Sequence, residues 1–422
     1  MNPFAAALET RIAARAPTMA VRLPGGRWVG AANARVCLAI KGWAPLAHLV
    51  TGQIGRLAED HVQGRVELTG SMRDIVEAAA ALIDTDPTQT RRRGWFAALR
   101  SRLRHTPAAD ARQVQFHYDV SDDFYALWLD ARRVYSCAYW PAGVHNLAAA
   151  QEAKLDLVCR KLMLRVGERF LDIGAGWGAL LLWAAEHYGV QATGITLSKH
   201  QHAHVSRLID ERGLAGRVRI ELLDYRALPE DEPFDKIASI GMFEHVGRAR
   251  LGTYFEKLHR LLVPGGLLMN HGITAGGTGN HELGAGIGDF VERHIFPGGE
   301  LLHLAPVLEA MSDAGWETLD VENLRPHYGK TLWAWSDALE AQLPAARALT
   351  CDGALRAWRL YLAGSAMAFE RGWLSLHQVL AARSGAQSAY PFTRDHLYSP
   401  CSTNSSPKPP ATSSCSAPTA TR

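Results

Sequence analysis

The segment FLDIGAGWGALLL, residues 170–182, decides the fold. Its first residues are apolar and predict a short buried strand, and the apolar run at its end predicts a helix. Three glycines, Gly174, Gly176 and Gly178, lie between the two and allow a tight loop whose backbone can approach a ligand closely. The N-terminus of the following helix favours a negatively charged group, so the segment is typical of a cofactor-binding loop.

The chain around this segment alternates between apolar strands and amphipathic helices from about residue 165 to residue 275. Further strands are predicted at QATGIT, RIELLD, KIASIG and GLLMNH, and helices at ALLLWAAEHY and KHQHAHVSRLIDERG. Parallel strands need helical crossovers and both faces of such a sheet must be covered. The pattern therefore predicts an α/β fold with a doubly wound, mostly parallel sheet, whose ligands bind beyond the carboxyl ends of the strands.

Four segments are predicted along the chain. Residues 1–88 form a smaller N-terminal α+β domain, because short strand patterns precede the helical stretch SMRDIVEAAAALI. Residues 89–112 form a basic amphipathic linker. Residues 113–398 form the main domain, whose part from 275 to 390 is expected to be helical after a glycine-rich lid at AGGTGNHELGAGIGD. Residues 399–422 are almost all Ser, Thr, Pro and Ala, which predicts a disordered tail.

The predicted linker contains a basic segment, residues 91–104, with six arginines and no acidic residue. Trp95, Phe96, Leu99 and Leu103 recur in it at helical spacing. Such a helix can lie on an anionic membrane surface, where each basic residue adds ~1 kcal/mol. It can equally dock its apolar stripe on a neighbouring domain, and the sequence does not decide between the two.

Composition limits the class of protein. The 422 residues are 47% hydrophobic and 21% charged, which is enough for more than one core, and the net charge of +3 does not call for a nucleic-acid partner. Glu9 interrupts the N-terminal segment and no run of 18 apolar residues occurs, so a cytoplasmic protein is expected. The six cysteines form no C-x-x-C pair, and neither disulfides nor a metal site are predicted.

The glycine loop alone leaves the cofactor open. Gly174, Gly176 and Ala179 also fit the G-x-G-x-x-G/A dinucleotide fingerprint. A dinucleotide enzyme needs an acidic residue about 20 residues further on, whereas the second strand here ends in residues 194–198, which contain none. Asp172, directly before the glycines, instead favours S-adenosylmethionine. A tight turn without a ligand is the structural alternative.

Two further segments are candidates for the cofactor site. Asp224 and Tyr225 follow the third strand, where this fold holds an adenine. Ser198 and Gln201 fit the S-x-x-Q capping box, so Gln201 can begin a helix, bind the cofactor, or do both.

Six segments carry a more specific resemblance, which covers about residues 113 to 395. QFHYDVSDDFYALWLD, VYSCAYW, FLDIGAGWG, GITLSKHQ, SIGMFEHVG and HYGKTLWAW follow one another in the order and spacing of the cyclopropane-fatty-acyl-phospholipid synthase and mycolic acid methyltransferase family. The resemblance implies the Rossmann-like fold of class I S-adenosylmethionine-dependent methyltransferases, with residues 113–398 as the catalytic domain. It implies methylene transfer from S-adenosylmethionine to the cis double bond of an unsaturated phospholipid acyl chain. Proximity and a nearby base are what this chemistry requires.

The resemblance also implies the site residues. Members of the family bind bicarbonate as the base, and the matching positions are the Cys137 backbone amide, Glu244, His271, the Ile273 backbone and Tyr328. The cofactor pocket would be lined by Tyr135, Ser136, Gly174, Gly176, Thr196, Leu197, Gln201, Tyr225 and Ile240, beside Asp172 and Asp224. Aromatic faces at Tyr139, Trp140 and Phe243 would stabilise a carbocation. No metal is implied.

Each base-site residue also has a structural interpretation. Cys137 can be a small buried apolar residue, Glu244 can favour a helix start, and His271 and Tyr328 can be ordinary core residues. Three alternative functions stay open. The protein could be a related methyltransferase that makes methyl-branched or methylene fatty acyl chains, an enzyme that methylates a small amine, or a catalytically inactive protein that binds lipid. The expected partner is unsaturated phospholipid at the inner face of the membrane, to which the protein would bind peripherally. Family members often form a homodimer, which is a second expectation.

The sequence departs from the family pattern at two site positions. Ala175 replaces a cysteine in the glycine loop, which keeps a small side chain. HGIT replaces HTIG, which puts Gly272 between His271 and Ile273. The backbone freedom of glycine predicts a looser base site.

Overall fold

The computed structural model describes most of the chain in two units. The described residues are 3–83, 86–88, 121–277, 283–385 and 390–398. Residues 1–389 belong to one compact unit, and the second, 390–422, is described over 390–398, which include a short helix at Asp395–Tyr398. The predicted basic segment 91–104 and the predicted tail 399–422 lie outside the described residues.

The N-terminal part is a four-stranded sheet covered by helices. Its strands are β1 (Met19–Arg22), β2 (Trp28–Gly30), β3 (Val36–Ile40) and β4 (Val66–Thr69), in the order β2-β1-β3-β4. Its helices are α1 (Pro3–Arg15), α2 (Trp43–Val50), α3 (Ile54–Val62) and α4 (Met72–Ala81). Ser71 caps α4, because its side-chain oxygen accepts a hydrogen bond from the Asp74 amide at 3.1 Å.

The main sheet has seven strands and confirms the predicted fold class. The strands are β5 (Arg169–Ile173), β6 (Gln191–Thr196), β7 (Val218–Leu222), β8 (Phe234–Ile240), β9 (Leu262–Ala275), β10 (Trp316–Asn323) and β11 (Leu374–Arg383), in the order β10-β11-β9-β8-β5-β6-β7. Strands β5 to β9 pair in parallel, and β11 pairs antiparallel with both β9 and β10. The strand order reverses between β5 and β8, which places the ligand crevice at their carboxyl ends.

Helices on both faces of this sheet complete the unit. They are α5 (Asp122–Ala126), α6 (Leu147–Lys161), α7 (Ala179–Tyr188), α8 (Lys199–Glu211), α9 (Phe243–Val246), α10 (Leu251–Leu261), α11 (Ile287–His294), α12 (Leu304–Asp313), α13 (Arg325–Ala341), α14 (Leu343–Leu349) and α15 (Asp352–Glu370). Two single 3₁₀ turns lie at Tyr225–Ala227 and Arg248–Arg250. No described helix is both long enough and apolar enough to cross a membrane.

The expectation that residues 275 to 390 are helical is wrong for β10 and β11. The β11 sequence, LSLHQVLAAR, is buried at eight of its ten positions, and a short apolar run of this kind does not distinguish a strand from a buried helix. Its conformation depends on pairing with β9 and β10. In the glycine-rich segment predicted to be a lid, residues 278–282 lie outside the described residues.

The N-terminal helices pack directly against the main domain. Arg356 on α15 donates to the His61 carbonyl at 2.9 Å, and His294 on α11 contacts the Glu59 carboxylate at 2.6 Å. A β-carbon at Gly55 would overlap the Gly286 carbonyl, so the backbones touch where α3 meets the start of α11. Side chains of α3 and α4, such as Ile54 and Ile75, also form part of the wall around the crevice of the main sheet. The domain boundaries remain a prediction.

Candidate active site

One cavity of about 420 Å³ lies at the carboxyl ends of the parallel strands. Asp172 is the last residue but one of β5, Thr196 ends β6, Ile240 ends β8, and His271 lies near the end of β9. The cavity brings together the sixteen residues predicted for the cofactor pocket and the base site: Tyr135, Ser136, Cys137, Asp172, Gly174, Gly176, Thr196, Leu197, Gln201, Asp224, Tyr225, Ile240, Glu244, His271, Ile273 and Tyr328. Their individual roles remain predictions.

The loop after β5 needs its glycines. Gly174 and Gly176 have φ values of +75° and +55°, in the left-handed region that other residues rarely adopt. A β-carbon at Gly174 would also lie 2.6 Å from the Met242 sulfur. The loop is tied to the neighbouring strand, because the Gly174 and Ala175 amides donate to the Ile195 carbonyl at 3.1 and 2.9 Å. Bare backbone therefore faces the cavity, as a loop that cradles a ligand requires.

Asp172 lies beside a buried lysine. Burial raises the pKa of Asp172 to about 7, although the positive charge of Lys154 lowers it in part. Burial likewise lowers the pKa of Lys154 to about 8. The Lys154 ammonium donates to the Ser136 hydroxyl at 2.9 Å. The cavity therefore contains a carboxyl group that a bound cation would stabilise in its ionised form.

Sequence analysis does not single out Lys154, although a signal exists. In α6, Ala150, Lys154, Val158 and Lys161 follow one another four, four and three residues apart, and all are buried. A lysine within the apolar face of a helix is rarely fully buried unless it has a polar partner.

The start of α8 confirms one half of the predicted capping box. The Ser198 hydroxyl accepts a hydrogen bond from the Gln201 amide at 3.3 Å. The Gln201 side chain does not return to Ser198 but accepts from the Thr196 hydroxyl at 2.7 Å. Gln201 thus begins the helix and also fixes the end of β6, with its side chain at the cavity wall.

Asp224 and Tyr225 line the cavity after β7, and Arg226 pairs with Asp224. Burial alone would raise the pKa of Asp224, but hydrogen bonds from Arg226 lower it overall. The Arg226 guanidinium donates to both carboxylate oxygens, at 2.8 and 2.6 Å. An ionised, oriented carboxylate at this position can accept hydrogen bonds from a ribose or an adenine.

Glu244 occupies the first turn of α9, immediately after β8. Its Oε1 accepts a hydrogen bond from the Ile273 amide at 2.6 Å, so two residues of the predicted base site contact each other. Its Oε2 is buried and has no hydrogen-bond partner among the described residues. Burial raises the pKa of Glu244 to about 7. The group can therefore exchange a proton near neutral pH.

His271 presents a second buried polar atom to the same cavity. Burial, together with the charges of Lys154 and Lys161, lowers its pKa well below the ordinary value, so the imidazole is neutral. Its Nδ1 lies 3.2 Å from the Gln378 side-chain nitrogen, while Nε2 has no partner within the described part of the chain. A carboxyl oxygen and a ring nitrogen without partners fit a small anion that carries a hydroxyl group.

Cys137 and Tyr328 complete the predicted base site. Cys137 is fully buried, and burial raises the pKa of its thiol far above the ordinary value. The thiol donates to the Ala138 carbonyl at 3.2 Å, so it does not act as a nucleophile. The Tyr328 ring packs on Phe369, with ring centroids 4.7 Å apart, and its phenol lies at the cavity.

The expectation about the three aromatic residues is wrong. Tyr139, Trp140 and Phe243 do not line the cavity; Tyr139 stacks on His327 at 4.8 Å, for example. The expectation that Gly272 loosens the base site stays a prediction, but its position is crowded: a β-carbon there would overlap the Phe243 ring and lie 2.9 Å from Glu244 Oε1. Glycine is required because Phe243 packs against the strand backbone, and this contact excludes the ring from the cavity.

Comparisons with known proteins identify the family of the chain. The model of the mycolic acid cyclopropane synthetase family matches residues 105–379. A probable fatty acid methyltransferase of Pseudomonas putida is 42% identical over 371 residues, which cover 86% of this chain and 92% of that protein. Cyclopropane mycolic acid synthase 1 of Mycobacterium tuberculosis is 40% identical over 63% of this chain and 94% of its own.

Solved structures give the same result. The cyclopropane synthase MmaA2 of Mycobacterium tuberculosis aligns with a TM-score of 0.62 at 36% identity, over 65% of this chain and 98% of that one. The mycolic acid cyclopropane synthase CmaA1, complexed with SAH and CTAB, aligns with a TM-score of 0.61 at 39% identity, over 65% and 98% of the two chains. The chain therefore belongs to the mycolic acid cyclopropane synthetase family and is an S-adenosylmethionine-dependent methyltransferase.

Proposed function

We propose that this enzyme transfers a methylene group from S-adenosylmethionine to the cis double bond of an unsaturated acyl chain in a phospholipid. The alkene gains a methyl group, and the cyclopropane ring closes when that methyl group loses a proton; a bicarbonate held by Glu244, His271 and Tyr328 would be the base that accepts it. One observation carries the proposal: Glu244 Oε2 and His271 Nε2, both buried without a described partner, lie in the same cavity as an extensive apolar wall.

Different residues of the cavity have different roles in this reaction. S-adenosylmethionine, when bound, supplies an electrophilic methyl group on a positively charged sulfur. Glu244 accepts a hydrogen bond from the hydroxyl of the anion, and His271 and Tyr328 donate hydrogen bonds to its other oxygens. Tyr135 and Tyr328 present aromatic rings to the cavity, which stabilise a cation there and exclude water.

The apolar wall of the cavity fits an acyl chain. It combines side chains from α3 and α4 with side chains from α11 and α15: Ile54, Ala58, Ile75, Val76, Ala79, Ile287, Phe290, Val291, Leu360, Met367 and Ala368. Burying a methylene group of a lipid there contributes about 0.8 kcal/mol. The proposal also assigns the basic segment 91–104 to contact with anionic headgroups at the inner face of the membrane.

Product analysis tests the proposal directly. The full-length enzyme is incubated with methyl-labelled S-adenosylmethionine and vesicles of a monounsaturated phospholipid, with vesicles of the saturated phospholipid as the control. We expect label only in the unsaturated lipid, with a mass gain of one methylene group and cyclopropane proton signals in place of the alkene signals. Absence of label from the unsaturated lipid contradicts the proposal.

The alternative products give different results in the same experiment. A methylene-branched chain has the same mass as the cyclopropane but retains alkene signals. A methyl-branched chain gains two further hydrogens, which need a hydride donor. Either result rejects ring closure but still supports an unsaturated lipid as the substrate.

The part of the cavity wall that α3 and α4 form should influence which acyl-chain lengths the enzyme accepts. Ala79 on α4 lines the cavity and is half-buried, so Ala79→Leu shortens the space available to the acyl chain. We expect kcat/KM for a long unsaturated chain to fall at least about tenfold relative to a shorter chain, since one methylene group in an apolar pocket is worth that much. Competition between phospholipids of two acyl lengths measures the ratio.

Ala81→Leu is the matched control for this prediction. Ala81 lies on the same helix but does not line the cavity. Its substitution should leave the ratio between the two acyl lengths unchanged. An equal loss of activity on both lengths in Ala79→Leu would show that α4 does not contact the acyl chain.

A further inference from the structure

A row of buried polar side chains crosses the sheet behind His271. In the strand register, Glu322 on β10 lies opposite Gln378 on β11, and Gln378 lies opposite His271 on β9. Side chains at directly opposed positions point to the same face of a sheet and contact one another. Lys161 is the last residue of α6, and its ammonium contacts the side chains of both Glu322 and Gln378. Gln378 and Lys161 are fully buried.

The lysine fixes the direction of every hydrogen bond in the row. The Lys161 ammonium has only donors, and it lies 2.7 Å from the Gln378 side-chain oxygen. The opposite orientation of this amide would set its NH₂ group against the ammonium. The Gln378 nitrogen must therefore face His271 Nδ1, 3.2 Å away, and donate to it.

A ring nitrogen that accepts a hydrogen bond carries no proton in the neutral imidazole. We propose that Lys161 and Gln378 are positioning residues that hold His271 in the tautomer with its proton on Nε2. The ring then presents an N–H donor, rather than a lone pair, to the cavity. This proposal rests on the proposed function, since a donor at this position is useful only if the cavity holds an anion.

The proposal explains why the row is charged at one end. An uncharged partner in place of Lys161 would let the Gln378 amide rotate, because its oxygen and nitrogen have nearly the same shape. The neutral ring would then adopt either tautomer, and one of the two repels an anion. Glu322 and Asp320, whose carboxylates lie near Lys161, offset the cost of burying its charge.

Gln378→Glu tests the proposal, because it keeps the size of the side chain and offers only acceptors. The variant forces the proton of the neutral ring onto Nδ1. Nitrogen NMR of histidine-labelled full-length enzyme at alkaline pH, with His271→Asn to assign the signal, reports which nitrogen is protonated. We expect Nε2 in the unchanged enzyme and Nδ1 in the variant.

Kinetics against sodium bicarbonate give the second measurement. We expect the bicarbonate concentration for half-maximal rate to rise about tenfold in Gln378→Glu, while the KM for S-adenosylmethionine stays the same. Gln378→Met should raise this bicarbonate concentration less than Gln378→Glu does, because methionine leaves the ring free to keep its proton on Nε2. A merely structural role predicts the reverse order, since glutamate preserves the shape and the contact with Lys161.

The outcomes separate this proposal from the proposed function. A proton on Nδ1 in the unchanged enzyme, or a Met variant as impaired as the Glu variant, overturns the roles of Lys161 and Gln378 even if bicarbonate stimulates turnover. A proton on Nε2 in an enzyme that bicarbonate does not stimulate supports the positioning roles and rejects the anion as the base.

Discussion

Glu244→Gln is expected to lower turnover by about a hundredfold to ten-thousandfold, the range that a positioned acid or base contributes. Glutamine keeps the oxygen that accepts from the Ile273 amide, so the loop between β8 and α9 should hold its shape. It replaces Oε2, the buried oxygen without a described partner, with an NH₂ group that cannot accept a proton. The hydroxyl of a bound anion then loses its acceptor.

The measurement combines turnover on unsaturated phospholipid vesicles with calorimetric titration of S-adenosylmethionine. Affinity for S-adenosylmethionine should change little, because Glu244 is not among the predicted cofactor contacts and glutamine keeps its hydrogen bond to the Ile273 amide. Glu256→Gln, an exposed position on α10, is the control for loss of one negative charge. Turnover unchanged by Glu244→Gln would remove this carboxyl from the mechanism.

The sheet from β5 to β9 is predictable because its strands are short apolar runs that end in turn residues, and helices follow β5, β6 and β8 along the chain. Helix α7, for example, covers the predicted residues from Ala179 to Tyr188. Strands β10 and β11 are not predictable in this way, since their conformation depends on pairing across the sheet. Helix α2 contains Pro45 and has eight residues, which is too few for a clear period.

The residues of the candidate site also differ in whether they could be predicted from the sequence. Residues in motifs, such as Asp172 and Glu244, are predictable because a short segment places them at a strand end. Gln378 is not, since its contact with His271 exists only through the register of β11 against β9. The role predicted for Phe243 fails for a similar reason: its ring packs against the strand at Gly272, a contact between distant segments.

Asp172→Asn is expected to weaken the binding of S-adenosylmethionine by about tenfold to a hundredfold. Asp172 is buried at the end of β5, beside the glycine loop, and a hydrogen bond to a charged group in such a place contributes about 1.5 to 3 kcal/mol. S-adenosylmethionine is a sulfonium that also has an amino group, and asparagine retains the shape of the site without the opposing charge. Isothermal titration measures the loss, and thermal unfolding without cofactor checks the fold.

The pH dependence of binding identifies the carboxyl responsible. Burial raises the pKa of Asp172 to about 7, so the group is neutral below that pH and ionised above it. A bound cation favours the ionised form, and affinity should therefore rise as pH increases through about 7 and be lost as pH falls. Lys154 and Glu244 also face this cavity, and the pKa of Glu244 lies near 7 as well. The dependence should persist in Glu244→Gln and disappear in Asp172→Asn. It should be weaker for S-adenosylhomocysteine, which has no sulfonium charge, and equal pH profiles for the two ligands would contradict a role of Asp172 in pairing with the sulfonium.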